Sequence, residues 1–317
     1  MFAIIEKAFG DYQSVKIQNN ETLEYITVIP NFGLCLNELV LNSKNGPVNI
    51  LLNNNNPEDF AKTKIPMFSG VKLFPFPNRV KDAVYNFIGR DYQLPKNDPP
   101  RNHALHGLVF DKIFSLKSFD GKTGMAEFEY IYDGSFVYYP FPYILTISIK
   151  LTATGAEITS KVKNTGNAAM PLGDGWHPYI STGTPVDKML LQIPGTRYFE
   201  SDSALIPTLN KIEDHRFEKL SPIGSFEMDN CYIIEPTGGK VSTVLYDPEK
   251  DIKIDFWQQT GTDAYNYVQF YTPENRQSIA VEPMSSAPDA IHNNIGLIIL
   301  PPAQEKTFVF GIGLLNN

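Results

Sequence analysis

Leu145-Thr146-Ile147-Ser148-Ile149-Lys150-Leu151 decides the fold. Its aliphatic residues fall at every second position, with Thr146, Ser148 and Lys150 between them. Successive side chains of an extended chain point to opposite faces, so the stretch reads as a half-buried strand. A turn containing Gly155 follows, then Ile158 to Val162 alternates again, with Thr159 and Lys161 outward, and stops at Asn164-Thr165-Gly166. The two runs predict an antiparallel hairpin. The same period recurs where Phe128, Tyr130 and Tyr132 alternate with Glu127 and Glu129. It recurs again where Ile252, Ile254 and Phe256 alternate with Lys253 and Asp255, just after the breaker run Asp247-Pro248-Glu249-Lys250. Phe308-Val309-Phe310 is another candidate strand.

Helical periodicity is weak everywhere, and 24 Pro and 22 Gly cut the chain into short segments. No linker tract and no internal repeat divide it, and Asn53-Asn54-Asn55-Asn56 reads as a short polar loop. The expected fold is all-β, one large antiparallel β-sandwich, with residues 1–317 forming a single domain. The segment from about Phe74 to Pro100 looks structureless, and long loops in compact domains are often functional.

Hydrophobic residues at 42% against 20% charged predict a packed core rather than disorder. A net charge of -8 argues against binding nucleic acid through phosphates. Cys35 and Cys231 are too few for a disulfide framework, and no CxxC is present. No apolar run approaches a membrane span, and the N-terminal residues lack a secretory pattern. These features lead us to expect a cytoplasmic protein with neither nucleic acid nor membrane as partner.

A few residues stand in settings suited to chemistry. Glu282 ends the run Ser278-Ile279-Ala280-Val281-Glu282-Pro283, where Ile279 and Val281 point one way and Ala280 and Glu282 the other. A carboxylate among apolar neighbours gains a raised pKa and suits a general base, whereas a strand-end glutamate facing water does nothing. His177 lies in Gly173-Asp174-Gly175-Trp176-His177-Pro178-Tyr179, either as a proton donor to a ring oxygen or as a hydrogen-bonded turn residue. Trp176 and Tyr179 offer flat apolar surface to a pyranose. His103 and His106 are three apart, and with His177 they permit a metal reading. The spacing lacks a zinc-site pattern, so no metal is expected; contact of His106 with sugar hydroxyls is simpler. Arg79 follows Phe74-Pro75-Phe76-Pro77-Asn78, as a guanidinium beside a cleft or as a solvated one. Asp229 is a hydroxyl acceptor or a turn residue.

Taken together these blocks resemble aldose 1-epimerases, the galactose mutarotases. Asn78-Arg79-Val80, Leu105-His106-Gly107, Gly175-Trp176-His177-Pro178-Tyr179, Met228-Asp229-Asn230, Gln269-Phe270-Tyr271-Thr272 and Val281-Glu282-Pro283 occur in that family's order over nearly the whole chain. The resemblance implies the galactose mutarotase-like supersandwich, with Glu282 as base and His177 as acid. It implies Arg79, His106 and Asp229 as substrate-binding residues, and Asn78 and Trp176 are expected to join them. The implied reaction interconverts the α and β anomers of an aldose by opening and reclosing the ring, and needs no cofactor. Members acting on free galactose usually carry Gly-Gly after the histidine, whereas here Gly107 precedes Leu108, so the sugar stays open.

Two other readings remain. Lys72 to Arg101 holds six cations against three anions, which would suit a hexose-phosphate 1-epimerase. A non-catalytic carbohydrate-binding protein would keep the aromatic and Asp229 contacts but need neither Glu282 nor His177. The expected partner is in each case a monosaccharide, phosphorylated or free.

Overall fold

The structure is a computed structural model that describes residues 1–54, 56–64 and 66–315. Its strands are almost all antiparallel and fall mainly into three sheets. The first 49 residues make a five-stranded meander in chain order, Phe2–Phe9, Tyr12–Asn19, Tyr25–Ile29, Cys35–Ser43 and Gly46–Asn49. A nine-stranded sheet carries the hairpin read from sequence, Tyr143–Leu151 against Gly155–Asn164. Glu305–Leu314 pairs with Gly155–Asn164, and Ile252–Gln259 with Glu305–Leu314, so the chain end closes onto its middle. An eight-stranded sheet includes Asp229–Ile233, Tyr267–Tyr271, Ile279–Met284, Gly175–Trp176 and Lys72–Leu73, in that spatial order.

The period-two pattern does what it predicts. Leu145, Ile147, Ile149 and Leu151 are buried on one face of their strand, beside Ile158 and Val162 of the next. Thr146, expected outward, is also buried: its cross-strand neighbours are Glu129 and Lys161, whose longer side chains flank it. The nine- and eight-stranded sheets meet face to face, with Phe310 against Trp176 at 5.9 Å between ring centroids, and Tyr265, in the loop before Tyr267–Tyr271, packs on Phe308 at 5.5 Å. The protein is thus an all-β sandwich, and the meander packs Val15, Ile17, Ile26 and Val28 into the same apolar cluster.

The segment Phe74 to Pro100 is not structureless. Arg79–Val80 pairs with Ala104–Leu105, and Val84–Phe87 pairs with Arg90–Gln93 in a hairpin turned by Ile88 and Gly89, both at positive φ. Tyr85 and Tyr92 stack across it at 4.9 Å. Four-residue strands with two exposed aliphatics, Val84 and Ile88, leave too short an alternation to read. In the Asn run, Asn53 and Asn54 lie in a loop and Asn56 caps the turn Pro57–Asp59 by accepting from the Asp59 amide at 2.8 Å; Asn55 lies outside the described residues. Among the described residues, no helix is long and apolar enough to cross a membrane.

Candidate active site

Ile279–Met284 runs between Tyr267–Tyr271 on one side and two short strands, Gly175–Trp176 and Tyr179–Ile180, on the other. Both short strands share one register against it, with Gly175 opposite Met284 and Tyr179 opposite Ala280. Carried across the interruption at Pro178, which lacks an N–H, that register sets His177 opposite Glu282. On the other side Gln269 is Glu282's cross-strand neighbour. Alternation then sends Val281 and Phe270 into the core and Glu282 and Gln269 to the opposite face. His177 Nε2 lies 3.3 Å from Glu282 Oε1. Asp229 begins the next strand, opposite Tyr271, and accepts from Gln269 Nε2 at 2.7 Å.

Two turns wall this face. Asn78 and His106 both adopt positive φ, and the His106 amide donates to the Asn78 carbonyl at 2.9 Å, so the bends stack on each other. Gly107 lets the second turn close onto Phe74, because a Cβ there would lie 2.3 Å from the Phe74 carbonyl oxygen. The His106 ring meets the His177 ring edge-on at 4.9 Å, and His177 stacks on Tyr179 at 4.9 Å. Arg79 is held by Asp98, its Nε donating to Oδ2 at 2.9 Å. The result is a cleft of about 270 Å³ that Glu282, His177, His106, Arg79, Asn78 and Asp229 all line.

Burial sets the charge state. It raises the Glu282 pKa well above the ordinary carboxyl value, Asp229 adds to the rise, and Arg79 opposes it. It pushes both imidazoles down, His106 further through His177 and Arg79. Asp229 keeps an open surface in the cleft, yet desolvation by its neighbours raises its pKa too, against the pull of Arg79 and Gln269. Burial thus disfavours the charged form of both groups, the ionised carboxylate of Glu282 and the imidazolium of His177.

Trp176 does not join this group. It is fully buried, donates from Nε1 to Ser160 Oγ at 3.0 Å and packs on Phe310 between the sheets. Adjacent strand residues face opposite ways, so Trp176 points into the core where His177 points into the cleft. Tyr179, two positions after His177, lines the cleft. His103 also lies outside: its Nδ1 accepts from the Asp82 amide at 3.0 Å, and its carbonyl from Asn97 and Asp98. Asp289 works behind the site, donating its amide to the Arg79 carbonyl and accepting from the Lys81 amide.

The cleft adds residues not assigned a role from sequence: Gln269, Tyr271, Arg101, Leu205 and Phe68. Gln269 and Tyr271 alternate with Val268 and Phe270, a signal for a polar strand face. Arg101 and Leu205 come from loops and carry no such signal. His106, His177 and Glu282 bring ligand atoms within 4.8 Å of one another and are the residues that could gather a metal ion. Among the described residues neither imidazole has a second carboxylate behind it, the usual support for a metal-bound histidine.

A family model described as Aldose 1-epimerase matches residues 13–313. The uncharacterized protein YihR of Escherichia coli (strain K12) is 27% identical over 252 residues, 77% of this chain and 78% of YihR. A galactose mutarotase-like protein from Clostridium acetobutylicum superposes with a TM-score of 0.86 at 19% identity, covering 100% of this chain and 99% of that one. A galactose 1-epimerase from Lactobacillus acidophilus superposes with a TM-score of 0.78 at 18% identity, covering 99% and 98%.

Proposed function

This chain belongs to the aldose 1-epimerase family, and we propose that its cleft interconverts the anomers of an uncharged aldose by acid–base ring opening and reclosure. The observation that carries the reading is the 3.3 Å pairing of His177 Nε2 with Glu282 Oε1 on the cleft floor, with hydroxyl-binding groups on the surrounding walls.

Sugar binding brings hydroxyl donors to Glu282, and Arg79 already favours its ionised form. The reactive state is the one with Glu282 ionised and His177 protonated. Glu282 takes the proton from the anomeric hydroxyl while His177 donates to the ring oxygen. The C1–O5 bond breaks and C1=O1 forms. Rotation about C1–C2 turns the other carbonyl face, and reversal of both transfers closes the opposite anomer. Each group serves as acid in one half and base in the other, and the pair ends with the proton it began with. Positioned acid–base catalysis supplies about 10²–10⁴-fold. Asp229, Gln269 and Asn78 hold hydroxyls, and His106 and Arg79 offset charge building on oxygen.

The hexose-phosphate reading loses support at the cations. Of the six between Lys72 and Arg101, Arg79 and Arg101 line the cleft, and both are bridged to Asp98. Lys72 is buried against Asp174. With Asp229 also facing the cleft, little net positive charge remains for a phosphate.

Anomer-exchange NMR over a panel of free and phosphorylated aldoses tests the proposal. The wild-type protein accelerates exchange of a free aldose, and Glu282→Gln and His177→Asn each remove most of that rate. Saturable sugar binding without exchange would instead identify a binding protein.

A further inference from the structure

On the far side of the Gly175–Trp176 strand, between the two large sheets, lies an ion pair that the proposed reaction does not use. Lys72 and Asp174 are both 0% exposed. Lys72 pairs with Trp176 across the strands and so points into the sandwich, where its Nζ donates to Asp174 Oδ1 at 2.5 Å and to the Gly175 carbonyl at 3.1 Å. The Tyr265 hydroxyl donates to the same Oδ1 at 2.5 Å.

Stability alone is a poor reason for this arrangement. Desolvating two charges costs more than an interior pair usually returns, and apolar residues of similar volume often do as well or better. Asp174 Oδ2 has no hydrogen-bond partner among the described residues, so even the pair's own requirements are not filled. Fixing one geometry is the better-supported use of such a group.

The connections show which geometry. Gly70 and Val71, immediately before Lys72, bond the His177 backbone on both sides: the His177 amide donates to Val71 at 3.1 Å and its carbonyl accepts from Gly70 at 2.8 Å. Asp174 lies three residues before His177. Its amide donates to Ser285 Oγ at 2.8 Å, and its carbonyl accepts from the Ser285 amide at 2.9 Å. Ser285 lies three residues after Glu282 on the same run of chain. One buried network thus ties the segments that carry both members of the 3.3 Å pair.

We propose that Lys72, Asp174 and Tyr265 form a positioning network that sets His177 against Glu282. The proposal rests on the acid–base reading of that pair, and its test keeps the two separable. The variants are Lys72→Met/Asp174→Leu, which removes both charges at similar volume, and Tyr265→Phe, which keeps the ion pair. For each, kcat and KM are measured by anomer exchange, folding by thermal unfolding, and the His177 ring by histidine 15N NMR without sugar. His177→Asn assigns the resonance.

A folded double variant is expected to lose about 10–100-fold in kcat, the scale of an ångström-sized misplacement, with KM within about threefold. Its His177 resonance shifts or broadens. Tyr265→Phe is expected to do the same more mildly, about 3–10-fold in kcat. A kcat within about twofold of wild type and an unmoved resonance, in a folded double variant, overturn the proposal. Should the double variant fail to fold, the same result in Tyr265→Phe overturns it. Should the wild type turn over no sugar, the reaction reading fails, and the ring resonance alone decides whether the network positions His177.

Discussion

Replacing Glu282 with Gln should weaken catalysis and strengthen the fold, with a pH signature that ties the two effects together. Glu282 is 2% exposed, and its Oε2 has no hydrogen-bond partner among the described residues. Burial, then Asp229, raises its pKa. An acid whose folded pKa lies above its unfolded value costs nothing while both states are protonated. As pH climbs through the unfolded value near 4.5, the unfolded chain ionises while the native carboxyl does not, and the native state loses about 1.36 kcal/mol per pH unit. That loss continues until the buried carboxyl itself ionises. Glutamine has no such term. Thermal unfolding of both proteins from pH 4.5 to 8 should therefore show similar Tm values at the acid end. The variant then pulls ahead by about 2 °C per pH unit. Over the same range kcat for anomer exchange falls by about 10²–10⁴-fold, a barrier increase of about 3–5 kcal/mol. A Tm difference that is flat in pH, or that shrinks as pH rises, would refute the desolvated-carboxyl argument. Loss of less than tenfold in kcat would refute Glu282 as the base.

Other substitutions separate the parts of the site. His177 has its pKa pushed down by burial, so its contribution is intact above the unfolded value of 6.5 and is lost as pH falls below it. His177→Asn should accordingly gain stability relative to wild type between pH 6.5 and 5 in denaturant titrations, while losing mutarotation at every pH. Trp176→Phe should cost about 2 kcal/mol in unfolding free energy, from the lost bond to Ser160 and lost volume, with KM unchanged; Tyr179→Ala should instead raise KM, and steady-state kinetics on the pair distinguishes core from cleft. Arg79→Met removes the charge that favours ionised Glu282 and should lower kcat. Arg101→Met should leave an uncharged aldose nearly unaffected, and a large KM increase for a sugar phosphate would revive the phosphorylated-substrate reading.

The fold was legible because one rule, period two, governs most of the chain, and strands such as Tyr143–Leu151 are long enough to display it. The same rule applied to Gly175-Trp176-His177 would have placed Trp176 and His177 on opposite faces. It was obscured because the strand there is two residues long and its flanks, glycines and a proline, read as a turn. The buried Lys72 was illegible for a different reason. A lysine in a cation-rich segment reads as solvated, and nothing local says that Asp174, 102 positions on, will meet it between two sheets. His177 and Glu282 are likewise 105 positions apart and become neighbours only through the register of an antiparallel pair. Each chemical group was visible alone, and only the family resemblance implied that the two act together, because register belongs to the sheet and not to either strand. Shifting Ile279–Met284 by one residue against its neighbours would turn Glu282 into the core and present Val281 to the cleft. The apolar face that fixes that register, Val281 beside Phe270 against the core, is therefore as necessary to the proposed chemistry as the carboxylate it aims.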